Sequence, residues 1–145
     1  MGERLVSADR SALLSEVHVG VLGISRLLPT PLVVPVWYLY ERDVISFIIM
    51  TGSLKHRVLV NAGVASLCVQ EEDLPYRYVT AEGAVSIRSA SSDFIVRLST
   101  RYLGRDHGAR YAMGLRPDDH VLVELVPERW LSDEFSLDHF GISPT

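Results

Sequence analysis

The chain has a single cysteine, Cys68, so no disulfide can form within it. Set in the apolar run Ala65-Ser66-Leu67-Cys68-Val69, that residue reads as a small buried hydrophobe. No apolar run approaches the roughly 20 residues that a membrane-spanning helix needs. Met1–Arg10 lacks the apolar core of a secretory signal, which makes the cytoplasm the expected compartment. Basic excess is also lacking: 14 Lys and Arg stand against 18 Asp and Glu, for a net charge of −4. With no basic face or tail, nucleic acid is not expected as a partner, and neither is a membrane. Repeats, low-complexity tracts and linkers are missing too, so 145 residues predict one domain spanning 1–145.

The familiar catalytic signatures are equally scarce. There is no Gly-x-Ser-x-Gly elbow, no phosphate-binding P-loop, no Gly-x-Gly-x-x-Gly and no Cys-x-x-Cys. The histidines (His18, His56, His107, His120, His139) show no metal-ligand spacing, so no metal is expected. Nothing in the spacing supports Ser99 or Ser132 as a nucleophile. Glu82 lies on a predicted strand, where a salt-bridged carboxylate is commoner than a catalytic one. No catalytic residue is assigned. A chain without a self-sufficient catalytic set points to a binding protein, or to an enzyme whose chemistry belongs to a cofactor.

What is present centres on Thr51-Gly52-Ser53-Leu54-Lys55-His56-Arg57. Val44–Met50 before it reads as a strand. Ser53 is a good N-cap for a helix over Leu54–Ala62, and Gly63 is a good stop. Lys55, His56 and Arg57 then crowd the first turn, the positive end of the helix dipole, where cations are disfavoured. An anion bound there would reverse that penalty, since free N–H groups, a hydroxyl and permanent cations converge on it. Spacing alone is equally compatible with a solvated basic turn.

Around this stretch the pattern predicts a helix over Ser7–Glu16 capped by Ser7, and strands over Val17–Ile24, Pro31–Tyr40, Val44–Met50, Val64–Gln70, Tyr76–Arg88 and His120–Val126. Helices are predicted from about Asp93 to Leu103 and within Arg105–Met113, and Pro127–Thr145 reads as a tail. Pro35 lacks a donor N–H and marks an edge or bulge, and Gly83 marks a bend. Trp37, Tyr38, Tyr76 and Tyr78 are ordinary strand aromatics or the wall of a planar ligand. The expected fold is α+β, mainly β: a six-stranded antiparallel split β-barrel with peripheral helices.

Four pieces in this order resemble the flavin-binding split barrel of the pyridoxamine 5′-phosphate oxidase superfamily. Pro31–Tyr38 resembles the strand whose backbone lines the isoalloxazine ring. Thr51-x-Ser53-x-Lys55 is similar to the family's phosphate motif. Arg77-Tyr78-Val79-Thr80-Ala81-Glu82-Gly83 resembles its Arg-Gln-Val-Arg-x-Glu-Gly strand. Pro127-Glu128-Arg129-Trp130 with Asp133 resembles the closing segment. The resemblance covers nearly the whole chain and implies a homodimer with cofactor sites at its interface. It implies ring contacts from the backbone of Val34, Pro35, Val36 and Trp37, phosphate contacts from Ser53, Lys55 and Arg57 with Thr51 in support, and further contacts from Tyr78 and Trp130. Val34 and Leu39 stand where the true oxidases carry an Arg and a Lys, which argues against vitamin B6 oxidation. The pattern looks more like the actinobacterial branch that uses the deazaflavin coenzyme F-420 or FMN. The implied activity is an oxidoreductase acting on a small conjugated substrate; the alternative is a non-catalytic flavin or tetrapyrrole binder.

Overall fold

A computed structural model describes residues 4–143. Its elements run α1 (Ser7–Ser15), β1 (Gly20–Ile24), β2 (Leu32–Val36), β3 (Leu39–Glu41), β4 (Val44–Met50), α2 (Leu54–Ala62), β5 (Val64–Glu71), β6 (Tyr76–Ser89), α3 (Ser92–Leu103), α4 (Arg105–Met113) and β7 (His120–Phe135), with 3-10 turns at Pro117–Asp119 and Leu137–Phe140. The strands form one antiparallel sheet in the order β2-β1-β5-β6-β7-β4-β3.

The expected six-stranded barrel is therefore corrected: the sheet has seven strands and its hydrogen bonding does not close. The stretch read as one strand, Pro31–Tyr40, is two. Its halves, β2 and β3, are the opposite edges of the sheet, joined by Trp37 and Tyr38 alone. The break has a local cause. Tyr38 gives its N–H to the hydroxyl of Tyr102, 3.0 Å away, instead of to a neighbouring strand.

β7 is the second correction. It continues through Pro127 to Phe135, so Trp130 and Phe135 are strand residues and no tail begins at Pro127. The register with β6 shifts between Glu82 and Gly83: Gly83 stands opposite Pro127 and Glu82 opposite Arg129, which leaves Glu128 as the extra residue of a bulge. A Cβ on Gly83 would sit 1.9 Å from the Val126 carbonyl oxygen, so the bulge requires glycine there.

Period-two burial selects the core. Leu22, Ile45, Phe47, Leu67, Val69, Val79 and Leu125 are wholly or almost wholly buried on the inner face, and α1 covers them with Leu13 and Leu14. Each such side chain contributes about 1.5–3 kcal/mol by leaving water. The same alternation puts Cys68 on the outer face, half-exposed between buried Leu67 and Val69, so it is not the core hydrophobe its apolar neighbours suggested. Ser7 begins α1 without capping it; the N-cap position is Val6.

α2 forms as its sequence dictates. The Ser53 hydroxyl accepts from the His56 N–H at 3.3 Å, and Gly63 ends the helix with φ 69°.

Candidate functional site

A cavity of about 330 Å³ opens where the β2–β3 break meets the start of α2. Pro35, Val36 and Trp37 form one side, Ile48–Met50 of β4 the floor, and Leu98, Ser99, Tyr111 and Leu115 the helical side; Lys55 and His120 complete it. Its lining is mainly apolar with a few polar groups, the usual make-up of a small-molecule site.

Aromatic packing fixes Trp37. Its ring stacks on Tyr102 with centroids 4.8 Å apart and planes 4° from parallel, and Tyr111 meets it at 5.8 Å and 57°. Tyr102 is itself held at its hydroxyl, which donates to the His18 carbonyl at 2.7 Å while accepting from Tyr38 N–H. Behind it, the Tyr38 hydroxyl donates to the Leu14 carbonyl at 2.7 Å, and burial pushes that phenol's pKa far up, so it stays a neutral donor. Arg101 ties α3 to the end of α1 through the carbonyls of Leu14, Ser15 and Glu16. α4 presses close against α3 because Gly108 has no side chain: a Cβ there would lie 2.7 Å from Thr100 Cα.

The basic turn is more ordered than its sequence suggests. Gly52 N–H donates to His56 Nδ1 at 2.9 Å while His56 N–H donates to Ser53 Oγ, so serine and histidine cap the helix reciprocally. His56 thus acts as an acceptor at Nδ1. The N–H groups of Leu54 and Lys55, in the first helical turn, have no intrahelical acceptor. Neither Lys55 nor Arg57 forms an ion pair among the described residues. Lys55, the one lysine of the sequence, reaches the cavity. Arg57 does not line it: two positions along a helix is a rotation of about 200°, so the two cations leave α2 on different sides.

Of the residues singled out from sequence, Pro35, Val36, Trp37 and Lys55 therefore meet at one cavity. Thr51 and Ser53 shape its entrance turn; Thr51 N–H donates to the Asp119 carbonyl at 2.9 Å, joining that turn to the start of β7. Val34 turns inward and packs against the core. Tyr78 lies elsewhere, its hydroxyl 3.2 Å from Asp133 Oδ2, with burial first and that bond second holding its pKa above the ordinary value. Trp130 packs against the core with the Arg10 guanidinium 4.7 Å over its ring. Ser99, Tyr102, Tyr111 and His120 were not singled out as site residues. The four-residue spacing of Phe94, Leu98 and Tyr102 is the one sequence signal that puts Tyr102 on the buried face of α3.

No family model matches the sequence, and no curated protein matches it either. Solved structures do. An F-420 reductase is similar over 87% of this chain and 98% of its own, with TM-score 0.72 and 25% identity. An FAD-binding protein of Mesorhizobium loti matches over 94% and 99% at TM-score 0.71 and 19% identity. A protein of Listeria innocua provisionally described as a pyridoxamine 5′-phosphate oxidase matches over 83% and 92% at TM-score 0.66 and 14% identity. The chain has the fold of the pyridoxamine 5′-phosphate oxidase-like split-barrel superfamily. Among the described residues no helix is long and apolar enough to cross a membrane.

Proposed function

We propose that the protein is a flavin- or deazaflavin-dependent oxidoreductase that acts as a homodimer on a small conjugated organic substrate. The observation that carries this reading is the meeting, at one apolar cavity, of the donor-less backbone at Pro35, the stacked Trp37 and the cation Lys55 at the N-terminus of α2. A planar ring fits against the Pro35–Trp37 backbone, and a phosphate fits at Lys55 and the free N–H groups beside it. The protein's part is to bind, orient and exclude water; redox chemistry is what such a cofactor supplies when bound. The F-420 reductase among the similar structures supports the reading.

Coenzyme F-420 is the favoured cofactor and FMN the alternative. Val34 packs against the core and Leu39 is 8% exposed, so the two positions where the oxidases carry phosphate-arm cations are committed to packing here. One cation suits an internal phosphodiester better than a terminal dianion. The dimer reading is supported by the outer face of β2-β1-β5-β6-β7, where Val21, Val33, Val64 and Leu131 are 40–57% exposed. Gel filtration or scattering at micromolar concentration tests it, and a monomer counts against it.

Side-by-side calorimetry with F-420 and FMN tests the cofactor, and tighter FMN binding reverses the order given. Lys55→Ala tests the site. Loss of a charge-assisted hydrogen bond of about 1.5–3 kcal/mol weakens binding roughly ten- to a hundredfold. Removing a cation from a helix N-terminus leaves the unliganded protein as stable as before, or more so by a few tenths of about 1 kcal/mol. A variant that melts lower and binds cofactor as before identifies Lys55 as structural. The rival, a cofactor carrier without catalysis, binds equally well but shows no faster oxidation of reduced cofactor when an unsaturated acceptor is added.

A further inference from the structure

Reduction of a conjugated substrate by hydride needs a proton as well, and the cavity holds a histidine suited to handle it. His120 begins β7 opposite Met50 of β4 and lines the cavity. Its Nδ1 lies 2.9 Å from the Arg116 carbonyl oxygen. A carbonyl only accepts, so Nδ1 carries hydrogen in either charge state, and the proton that comes and goes does so at Nε2. Nε2 is the ring nitrogen that this bond leaves free, on a residue that lines the cavity.

The anchor is rigid. Asp119 N–H donates to the same Arg116 carbonyl at 3.0 Å, and Thr51 N–H donates to the Asp119 carbonyl, so the histidine, the 3-10 turn and the entrance of α2 form one unit. The charged and titratable groups around it are Lys55 from α2, Tyr111 from α4, Asp118 in the turn, and Arg116 paired with Asp119 at 3.8 Å; Met50 and Ser99 face it from β4 and α3. Lys55 and Tyr111 are acids too, but an imidazole is the group that both gives up and regains a proton near neutral pH, which suits it to repeated turnover.

We propose that His120 is the proton donor of the reaction, a catalytic residue that rests on the oxidoreductase reading above. For an α,β-unsaturated ketone the step balances as follows. The cofactor, when bound in its reduced form, would supply the hydride for the new C–H bond at the β-carbon and would itself lose two electrons. The C=C pair shifts toward the carbonyl carbon, and the carbonyl π pair passes to oxygen, which takes the proton from Nε2. The N–H pair stays on the neutral imidazole, which regains a proton from water. The enol relaxes to the saturated ketone.

The test uses the recombinant protein, whichever of F-420 and FMN it binds, and 2-cyclohexen-1-one as the probe. In an anaerobic single turnover, His120→Gln slows oxidation of the bound reduced cofactor about a hundredfold or more, while affinity for the oxidised cofactor stays within about threefold. Added imidazole restores part of the rate to His120→Ala. Nitrogen NMR of histidine-labelled protein shows His120 protonated at Nδ1 in its neutral form, a readout that needs no cofactor. An unchanged rate overturns the proposal, as does the opposite tautomer, or a tenfold loss of cofactor affinity without imidazole rescue, which would make His120 a cofactor contact. A wild-type protein that binds cofactor but does not reduce the enone overturns the donor role and leaves the cofactor site standing. One that binds neither cofactor overturns both.

Discussion

Pro35 and Pro127 both interrupt strands of the same sheet, and the sheet accommodates them in different ways. Pro35 lies in β2, an edge strand paired on one side only with β1. Its missing N–H removes little from the ladder, and the chain leaves the sheet two residues later at Trp37 and Tyr38. Pro127 lies in β7 two residues past Leu125, the last β7 residue paired with β4, so at this point β7 is paired with β6 alone. There the strand takes up one extra residue, Glu128, and the partner strand supplies Gly83 so that the Val126 carbonyl can come close. Both prolines thus lie where their strand has a single partner, but at Pro35 the chain leaves the sheet and lines a cavity, whereas at Pro127 the strand bulges and stays paired with β6. The exit of the chain at Pro35 opens the candidate site toward β4, α3 and the start of α2.

Gly83→Ala tests the bulge at Pro127 most severely. Its new methyl carbon would lie 1.9 Å from a backbone oxygen, and backbone cannot swing aside as a side chain can. The expected loss is about 3 kcal/mol or more in chemical denaturation, with residual folded protein keeping its cofactor affinity. A loss below about 1 kcal/mol would mean that the bulge relaxes freely.

The break at Pro35 depends instead on Tyr102. Tyr102→Phe keeps the stack on Trp37 but strips the acceptor from Tyr38 N–H, at a cost of about 1–3 kcal/mol. Tyr102→Leu adds loss of the stacking, about 0.5–1.5 kcal/mol more, and changes the fluorescence of Trp37. Equal stabilities of the two variants would show that the ring stack contributes nothing beyond the hydroxyl. The smallest effects belong to the prolines themselves. Pro35→Ala and Pro127→Ala each lower stability by about 0.4–1 kcal/mol through the freer unfolded chain. Only Pro35→Ala is expected to alter cofactor affinity, since only Pro35 lines the cavity. Calorimetry on the two variants decides whether the breaks differ in function as they do in structure.

Legibility in the sequence followed the range of the interactions. β4 and α2 match the expected limits because their signals are local: alternating apolar residues, a serine cap, a terminal glycine. The Pro35 break and the Gly83 bend were marked, but what the chain does at each is set from far away. Tyr38 ends its strand because its partner is Tyr102, 64 residues on, and β7 continues past Pro127 because β6 carries Gly83. The site divides in the same way. Pro35, Val36 and Trp37 follow from resemblance to a known strand, and Lys55 from its local place at the start of a capped helix as well as from resemblance. Ser99, Tyr111 and His120 reach the cavity only through the packing of α3, α4 and the turn before β7. Alternate-residue spacing grouped Ser53, Lys55 and Arg57, but on a helix it separates them.

The open sheet also bears on how the protein behaves when concentrated. A free edge is a template on which another chain's strand can add, and extended rows of unpaired N–H and C=O groups are how sheet proteins join into fibres. Here the two terminal strands are poor templates. β3 is three residues long, and β2 is five residues long with a proline one residue from its end. Among the described residues, the longer stretch paired on a single side is the far half of β7, past Leu125. Strand addition finds no continuous row of donors on either terminal strand, and the residue that clears space for a ligand is also part of that obstacle.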